Sequence, residues 1–580
     1  MPVTNSDVST IFQRMADLLE IQGENVFRIR AYRSAAHTID NLPESVATMV
    51  GRGEDLSELP GIGKDLAGKI TEIVAHGRLA ALDRMARRVP GQLAEMMQLP
   101  ALGPKRVALL HEKLGIRTLA QLEAACRSGK IREVPGIGEK TVARVLDALQ
   151  RWKASPKRTR LDVAEQVVEP LLAWLRGAPE VRECVAAGSF RRRCETVGDI
   201  DVLARTSTEE EGPAVVERLA AYDSVREVLA RGPTRGTVVL RSGMQVDIRV
   251  VPKRSWGAAL LYLTGSKAHN IAVRRLAIAR GRKINEYGVF RGERFLVGET
   301  EAAVYEQVGL SYIEPELRED RGEIEAAEHG SLPHLLRRSD IKGDLHAHTD
   351  ASDGSCTLEE MVDAAREAGY SYLAITDHTV SLKLAHGLDS RRLARQLERI
   401  DRLNARLHGF TVLKSAEVDI LEDGSLDLPD SILAELDVTV CAIHSHFTLS
   451  EAAQTRRVLT AMDNPHFDIF GHPTGRLIGE RLAYGIDLER VMQGAVERGC
   501  FLELNAQPER LDANDVHCRR ARELGLKVAL STDAHGSGDL DKIRYGIDQA
   551  RRAWLGPEDV LNTRSWRELR KMLRRSRGSA

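Results

Sequence analysis

The chain has 580 residues, enough for several domains at roughly 100–200 residues each. Its 83 Lys+Arg and 84 Asp+Glu leave a net charge of −1, which neither demands nor excludes a polyanionic partner. No long apolar run, signal segment or low-complexity tract occurs, so a soluble, cytoplasmic protein without a membrane partner is expected. The seven cysteines are scattered and never form a Cys-x-x-Cys pair, which argues against a disulfide framework or a zinc ribbon. Histidine is unevenly spread: eleven of the seventeen follow residue 340, which concentrates metal or acid–base chemistry there.

Residues 5–85 read as helices. Asp7-Val-Ser-Thr-Ile-Phe-Gln-Arg-Met-Ala-Asp-Leu-Leu-Glu carries apolar residues at helical spacing, and Asn25-Val-Phe-Arg-Ile-Arg-Ala-Tyr-Arg begins a second helix with three arginines. Leu59-Pro-Gly-Ile-Gly-Lys then opens a further helix. The pattern returns at Leu99-Pro-Ala-Leu-Gly-Pro-Lys and at Val134-Pro-Gly-Ile-Gly-Glu-Lys. Such a loop presents backbone N–H groups at a positive helix N-terminus, an anion site that needs no side-chain charge. A phosphate held this way carries no sequence information, so nucleic-acid backbone is the expected ligand. The three copies resemble helix-hairpin-helix motifs, with Gly61, Gly63, Gly103, Lys105, Gly136, Gly138 and Lys140 as DNA contacts. Ala101 replaces the first glycine of the central copy, which weakens that contact. Arg151 to Arg160, a basic stretch broken by Pro156, reads as a linker and a track for DNA backbone.

The stretch Gly188-Ser-Phe-Arg-Arg-Arg-Cys-Glu-Thr-Val-Gly-Asp-Ile-Asp-Val-Leu follows. Asp199 and Asp201 lie two apart beside Ile200, Val202 and Leu203, a strand pattern that points both carboxylates the same way. Paired acids on one face call for a hard divalent cation. Asp247, in a second strand-like run, could complete a two-metal site for phosphoryl transfer. Gly188 and Ser189 suit backbone contact with phosphate, and Arg192 supplies charge for the same anion. These residues closely resemble the palm of the family X DNA polymerases, of the nucleotidyltransferase superfamily.

That resemblance implies Mg²⁺ or Mn²⁺ at the palm. Asp199 and Asp201 would bind both ions, and Asp247 would bind the catalytic ion and help deprotonate the primer 3′-OH. It adds Gly198, Tyr262, Gly265 and Asn270 to the nucleotide site, through the pocket turn Tyr262-Leu-Thr-Gly265, and Arg274 to the minor-groove contacts. Leu263 stands where many relatives carry an aromatic residue, and Lys267 where some carry an acid. The first segment resembles the family's lyase domain, which makes Lys69 the Schiff-base lysine for a 5′-deoxyribose phosphate, aided by Lys64, Arg28 and Arg33. Asp65 replaces a basic residue of the family beside it.

The last 240 residues hold seven short β-rich runs, 341–348, 372–378, 411–417, 438–444, 467–472, 500–505 and 527–533, with helical stretches between most of them. Strands alternating with helices argue for a parallel sheet or barrel, and nearly every run ends in a metal-type ligand. The pattern resembles the PHP (polymerase and histidinol phosphatase) domain, a distorted barrel with up to three metals. Carried over by position, its ligands are His346, His348, Asp353, His378, Glu417, His444, His472, Asp533 and His535, with Glu417 bridging two ions. Such mixed donors suit zinc, manganese or iron alike; Mn²⁺ or Zn²⁺ is expected. His446 falls on the wrong strand phase for a ligand, and Asn505 is a candidate supporting residue.

The expected architecture is multidomain: an α-helical lyase-like segment with a helix-hairpin-helix (1–85), fingers with two more such motifs (86–152), an α+β nucleotidyltransferase palm (153–258), a thumb (259–317), a connector (318–338) and a distorted (β/α)7 PHP barrel (339–580). The expected function is short-gap filling in DNA repair by two-metal nucleotidyl transfer, with a 3′–5′ exonuclease in the PHP domain. Gapped or primed DNA and dNTPs are the expected partners, and a monomer the expected state. Two rivals are a phosphoesterase whose polymerase half only targets DNA, and a non-catalytic repair scaffold. The intact acid triad and ligand set argue against the scaffold.

Overall fold

A computed structural model describes residues 3, 5–40, 42, 46–88, 93, 96, 99, 102–135, 137–154 and 158–573. The chain divides into two compact units, residues 1–157 with 477–483, and residues 158–476 with 484–580.

The first unit is helical. Its elements include α1 (Asn5–Ile21), α2 (Val26–Asp40), α3 (Lys64–His76), α4 (Pro104–Leu114) and α5 (Glu139–Ala154). One apolar centre gathers Phe12, Tyr32, Ile39 and Ile70, and another Val107, Leu110, Leu122 and Val145. The described parts of the three repeated loops share one hydrogen-bond pattern. The amides of Ile62, Leu102 and Ile137 donate to the carbonyls of Leu59, Leu99 and Val134 at 3.1, 3.1 and 3.2 Å. Gly63, Gly103 and Gly138 then accept the first helical bonds, from Ala67, Val107 and Val142. Neither Gly63 nor Gly103 has a side chain to cap its helix; the first-turn N–H groups of α3 stay open, whereas α4 begins at Pro104, which has no N–H, and the Arg106 amide already donates to the Gly103 carbonyl at 2.9 Å. Gly61 has φ +72°, and a Cβ there would lie 2.7 Å from Ser34 Oγ, which explains glycine at this tight turn. Gly136, Ala101 and the side chains of Lys105 and Lys140 lie outside the described residues.

In the second unit a short strand, Thr159–Arg160, leads into α6 (Leu161–Arg176), which packs against a five-stranded sheet. Its strands are β1 (Glu183–Ala186), β2 (Ile200–Thr206), β3 (Val225–Arg231), β4 (Arg235–Leu240) and β5 (Gln245–Pro252), in the order β1-β2-β5-β4-β3. Only β2 and β5 run parallel. Along β5 the apolar Val246, Ile248 and Val250 are buried, which leaves Asp247 and Arg249 on the opposite face. Next come α7 (Trp256–Thr264), α8 (Lys267–Ala279) and a small sheet of β6 (Lys283–Asn285), β7 (Gly288–Arg291) and β8 (Arg294–Val297), around a core that includes Val273, Ala277, Val304 and Tyr305.

Each of the seven β-rich runs forms a strand: β9 (Gly343–Ala347), β10 (Tyr372–Ile375), β11 (Thr411–Asp419), β12 (Val438–Ala442), β13 (Ile469–Phe470), β14 (Phe501–Asn505) and β15 (Val528–Ser531). They pair in parallel in sequence order. A parallel bridge between Ala347 and Ala534, with His348 N donating to Ala534 O at 2.7 Å, joins the last strand region to the first. The interior takes residues from all seven strands, among them Leu345, Leu413, Val440 and Ile469, and is plugged at one end by Leu569 and Leu573. The strand C-termini therefore surround the other end. Among the described residues no helix is long and apolar enough to cross a membrane.

Candidate functional sites

The five-stranded sheet carries an acidic site. The parallel register sets Asp201 opposite Asp247, and Asp199 stands just ahead of β2. Burial, with Asp199 and Asp247 adding repulsion, pushes the Asp201 carboxyl up to about 7. Asp247 accepts hydrogen bonds from Thr237 Oγ1 (2.5 Å) and Gln245 Nε2 (2.7 Å), which hold its orientation. Gly188 opens the turn Gly188–Arg191 with φ +59°, and a Cβ there would sit 2.4 Å from Asp201 Oδ2. The turn thus packs its backbone directly on the acid. Ser189 follows it, with its carbonyl accepting from Cys194 N. A Cβ on Gly198 would lie 3.2 Å from Arg158 Nη1.

Other expected nucleotide contacts are already engaged. Arg192 donates through Nε to Glu319 (3.0 Å) and through Nη1 to the Thr264 carbonyl, so only part of its guanidinium faces outward. Asn270 Nδ2 donates to the Tyr262 carbonyl at 2.8 Å. Arg274 lies 5.2 Å from the Tyr262 ring centroid, and Arg249 5.8 Å. Gly265, φ +69°, ends α7, where a Cβ would lie 3.2 Å from Arg192 Nη1.

In the first unit, Lys69 Nζ donates to Asp65 and lies 5.2 Å from the Tyr32 ring. Burial lowers its pKa, but Asp65 and Tyr32 outweigh burial and leave it raised. Asp65 therefore holds Lys69 as a cation, the opposite of what an amine nucleophile needs. The neighbouring cations are also spent locally, Arg33 on Asp17 and Glu20, and Arg28 on Glu24.

At the barrel mouth, three overlapping ligand sets form: His348, Asp353, His378 and His535; His346, His348, Glu417 and Asp533; and His378, Glu417 and His444. Glu417 is at the centre, its oxygens facing His346 (3.3 Å), His348 (3.5 Å), His378 (3.0 Å), His444 (3.2 Å) and His472 (2.8 Å). His472 joins the cluster through Glu417 and belongs to none of the three sets. Burial alone would raise the Glu417 pKa, but His378, His444 and His346 hold it well below the carboxylate range. Burial, with His535 and His378 beside it, pushes His348 down to about 4. Burial also opposes charge on His535, yet Asp353 and Asp533 carry it up to about 10. His346 Nε2, His348 Nδ1 and His378 Nδ1 are buried without hydrogen bonds, as donors directed at cations should be. His446 is half-exposed, pairs with Glu422 at 3.5 Å and stays out of the cluster.

Family models match four segments: a helix-hairpin-helix domain at 3–79, a SAM-like helix-hairpin-helix tandem at 93–151, a DNA polymerase beta thumb at 259–319 and a PHP domain at 344–506. The DNA polymerase/3′-5′ exonuclease PolX of Bacillus subtilis (strain 168) is 36% identical over 577 residues, covering 98% of this chain and 99% of the relative. The chain belongs to the bacterial family X DNA polymerases with a PHP domain. A "Probable phosphatase" of Thermoanaerobacter sp. (strain X514) is 30% identical over 231 residues, covering 38% of this family X chain and 89% of the relative. DNA polymerase lambda of Rattus norvegicus is 25% identical over 342 residues, covering 54% of this chain and 56% of the relative.

Three residues of the PHP domain went unremarked in the sequence. Glu503 accepts from His346 Nδ1 (2.7 Å) and from the His472 backbone N–H (2.6 Å), which turns His346 Nε2 toward Glu417. Asp419 does the same for His444 Nδ1 at 2.9 Å. Phe501, Glu503 and Asn505 alternate along β14, so Glu503 shares a face with Asn505, and that alternation could have found it. Asn505 Nδ2 donates to Asp533 at 3.0 Å. Arg510 brings its Nε, which makes no hydrogen bond, to 3.9 Å from Asp533 Oδ2.

Proposed function

We propose that this chain is a gap-filling DNA repair polymerase whose PHP domain trims DNA 3′ ends. The carrying observation is the register of Asp201 against Asp247 beside Asp199, with a backbone turn seated on Asp201. Three close carboxylates, one of them pushed up to about 7, fit Mg²⁺ or Mn²⁺. Such ions would ease deprotonation of the primer 3′-OH and neutralise charge on the triphosphate. Asp199 and Asp201 would hold both ions. Asp247, oriented by Thr237 and Gln245, would face the primer end. The Gly188–Ser189 backbone, Gly198 and the outward part of Arg192 would take triphosphate oxygens, and the Tyr262–Gly265 turn with Asn270 would frame the nucleoside. Gapped DNA would lie on the open N–H groups of the helix-hairpin-helix loops and on Arg274.

In the PHP domain, the buried unbonded His346, His348 and His378 nitrogens fit two or three Mn²⁺ or Zn²⁺ ions. The ions would supply an activated water for phosphodiester cleavage. Arg510 would hold the phosphate beside Asp533. Lyase action at Lys69 is a lesser reading, because Asp65 keeps that lysine protonated.

The test uses primed DNA with a short 5′-phosphorylated gap and Mn²⁺, with and without dNTPs. Asp199→Ala should abolish extension and keep 3′ shortening, and His346→Ala should do the reverse. The 231-residue similarity to the probable phosphatase favours one other reading, a phosphoesterase that uses the polymerase half only to find DNA. No extension by the unaltered chain would select it.

A further inference from the structure

The palm loop that follows Gly188 is tied to a helix of the PHP domain, α9 (Ile543–Arg552). Arg193 donates to Asp548 (2.6 Å) and to Glu165 (2.6 Å), and Gln549 Nε2 donates to the Arg193 carbonyl (3.1 Å). Two residues on, Arg476 reaches back to Glu195 at 2.6 Å. The most telling bonds are those of Arg552, whose side chain is 7% exposed. Its Nη1 donates both to the Arg192 backbone carbonyl (2.8 Å) and to Glu319 Oε1 (2.9 Å). Its Nη2 is anchored on Asp515 at 2.9 Å.

Glu319 Oε1 is also the atom that receives Arg192 Nε. One PHP guanidinium therefore grips the main chain of Arg192 and the carboxylate that steers its side chain. The Thr264 carbonyl takes Arg192 Nη1, and Arg192 Nη2 makes no hydrogen bond among the described residues. The result is a fixed arginine with one edge free for an anion, the kind of preorganisation that makes a charge-assisted contact effective. Without Arg552, Glu319 would keep only Arg192 as a cationic partner and would draw that side chain toward itself.

We infer that Arg552, though part of the PHP domain, is a positioning residue for nucleotidyl transfer, presetting Arg192 to receive the triphosphate of the incoming dNTP. The inference rests on Arg192 being a triphosphate ligand, and the experiment separates the two claims. Steady-state single-nucleotide gap filling is measured on full-length Arg552→Met, Arg552→Lys, Arg192→Ala and the Arg192→Ala/Arg552→Met double variant. Inhibition by tripolyphosphate is measured in parallel, and 3′ shortening without dNTPs serves as a fold control.

Arg552→Met should raise KM for dNTP about tenfold, the loss of roughly one charge-assisted hydrogen bond, with kcat changed far less. Tripolyphosphate inhibition should weaken by the same factor. Arg552→Lys should recover part of the loss, and the double variant should be no worse than Arg192→Ala. If Arg192→Ala raises KM but folded Arg552→Met and Arg552→Lys do not, the positioning role is refuted. Multiplying effects in the double variant would also refute it. If Arg192→Ala itself leaves KM unchanged, the nucleotide reading of Arg192 falls and the inference falls with it. Should Arg552→Met lose both activities through misfolding, Arg552→Lys decides: an unchanged KM in that variant overturns the proposal.

Discussion

Replacing Gly188 by alanine is the sharpest probe of the palm. The new Cβ would stand 2.4 Å from Asp201 Oδ2, where ordinary contact begins at 3.4 Å, so the carboxylate oxygen must retreat by about 1 Å. Gly188 also sits at φ +59°, where an L side chain costs about 1–2 kcal/mol. The two effects separate with a matched control. Gly243 has φ +89° in the turn between β4 and β5, and a Cβ there meets nothing within 4 Å. Gly243→Ala should therefore carry the backbone strain alone. A displacement of about 1 Å at a metal-holding carboxylate is worth about 100-fold in rate, so Gly188→Ala should lower gap-filling kcat by roughly that factor while Gly243→Ala stays close to the parent. Single-turnover extension on gapped DNA gives the rates, thermal unfolding gives the stability cost, and 3′ shortening in the same preparations reports an intact PHP domain. Gly188→Ala extending within about threefold of the parent, or matching Gly243→Ala, would refute the proposed catalytic role of the acid on which this turn is seated.

Glu503→Gln keeps the shape but has one acceptor oxygen where Glu503 now has two, shared among His346 Nδ1, the His472 backbone N–H and Asn505 Nδ2. The 3′-shortening rate should fall about 10–100-fold with gap filling unchanged, and an unaffected rate would remove Glu503 from the metal centre's support. His269 in the thumb is buried, bonded to Glu323 (2.7 Å) and Tyr305 (2.8 Å), and burial depresses its pKa despite Glu323. The unfolded chain thus binds this proton first, so the group's share of stability is whole above about pH 6.5 and is lost as pH falls below it. Melting curves between about pH 7.5 and 5.5 should drop more steeply for the parent than for His269→Gln, and parallel slopes would contradict the assignment.

What the sequence made legible follows from local rules. Alternation along a strand made Asp201 and Asp247 legible, because each side chain's face depends only on its neighbours; Asp199, expected on the same strand, lies instead in a bend just ahead of β2. The seven ligand-tipped runs were readable for the same reason. The condition of Arg192 was not. Its partner Glu319 lies 127 positions away, and Arg552, which bonds its carbonyl, 360 positions away. No local period encodes such meetings. Asp419 escaped because β11 continues two residues past Glu417, and strand length depends on the neighbouring strand β12, which pairs as far as Asp419. Lys69 shows the converse. Asp65, one helical turn away, was visible in the sequence, and that local pairing governs the lysine's charge.

The order in which the barrel's strands pair has a consequence for synthesis on the ribosome. Asp533 and His535 lie just after β15, and the bridge from Ala347 to Ala534 spans nearly the whole barrel segment. Domains fold as they emerge, N-terminal parts first. The helical unit and the acidic sheet of a nascent chain can thus be formed while the histidine–carboxylate cluster still lacks Asp533 and His535. A chain cut short by premature termination anywhere before β15 carries an incomplete histidine–carboxylate cluster, however well its N-terminal unit has folded. If that cluster cuts DNA as proposed, the growing polypeptide acquires cleavage after the acidic sheet is in place.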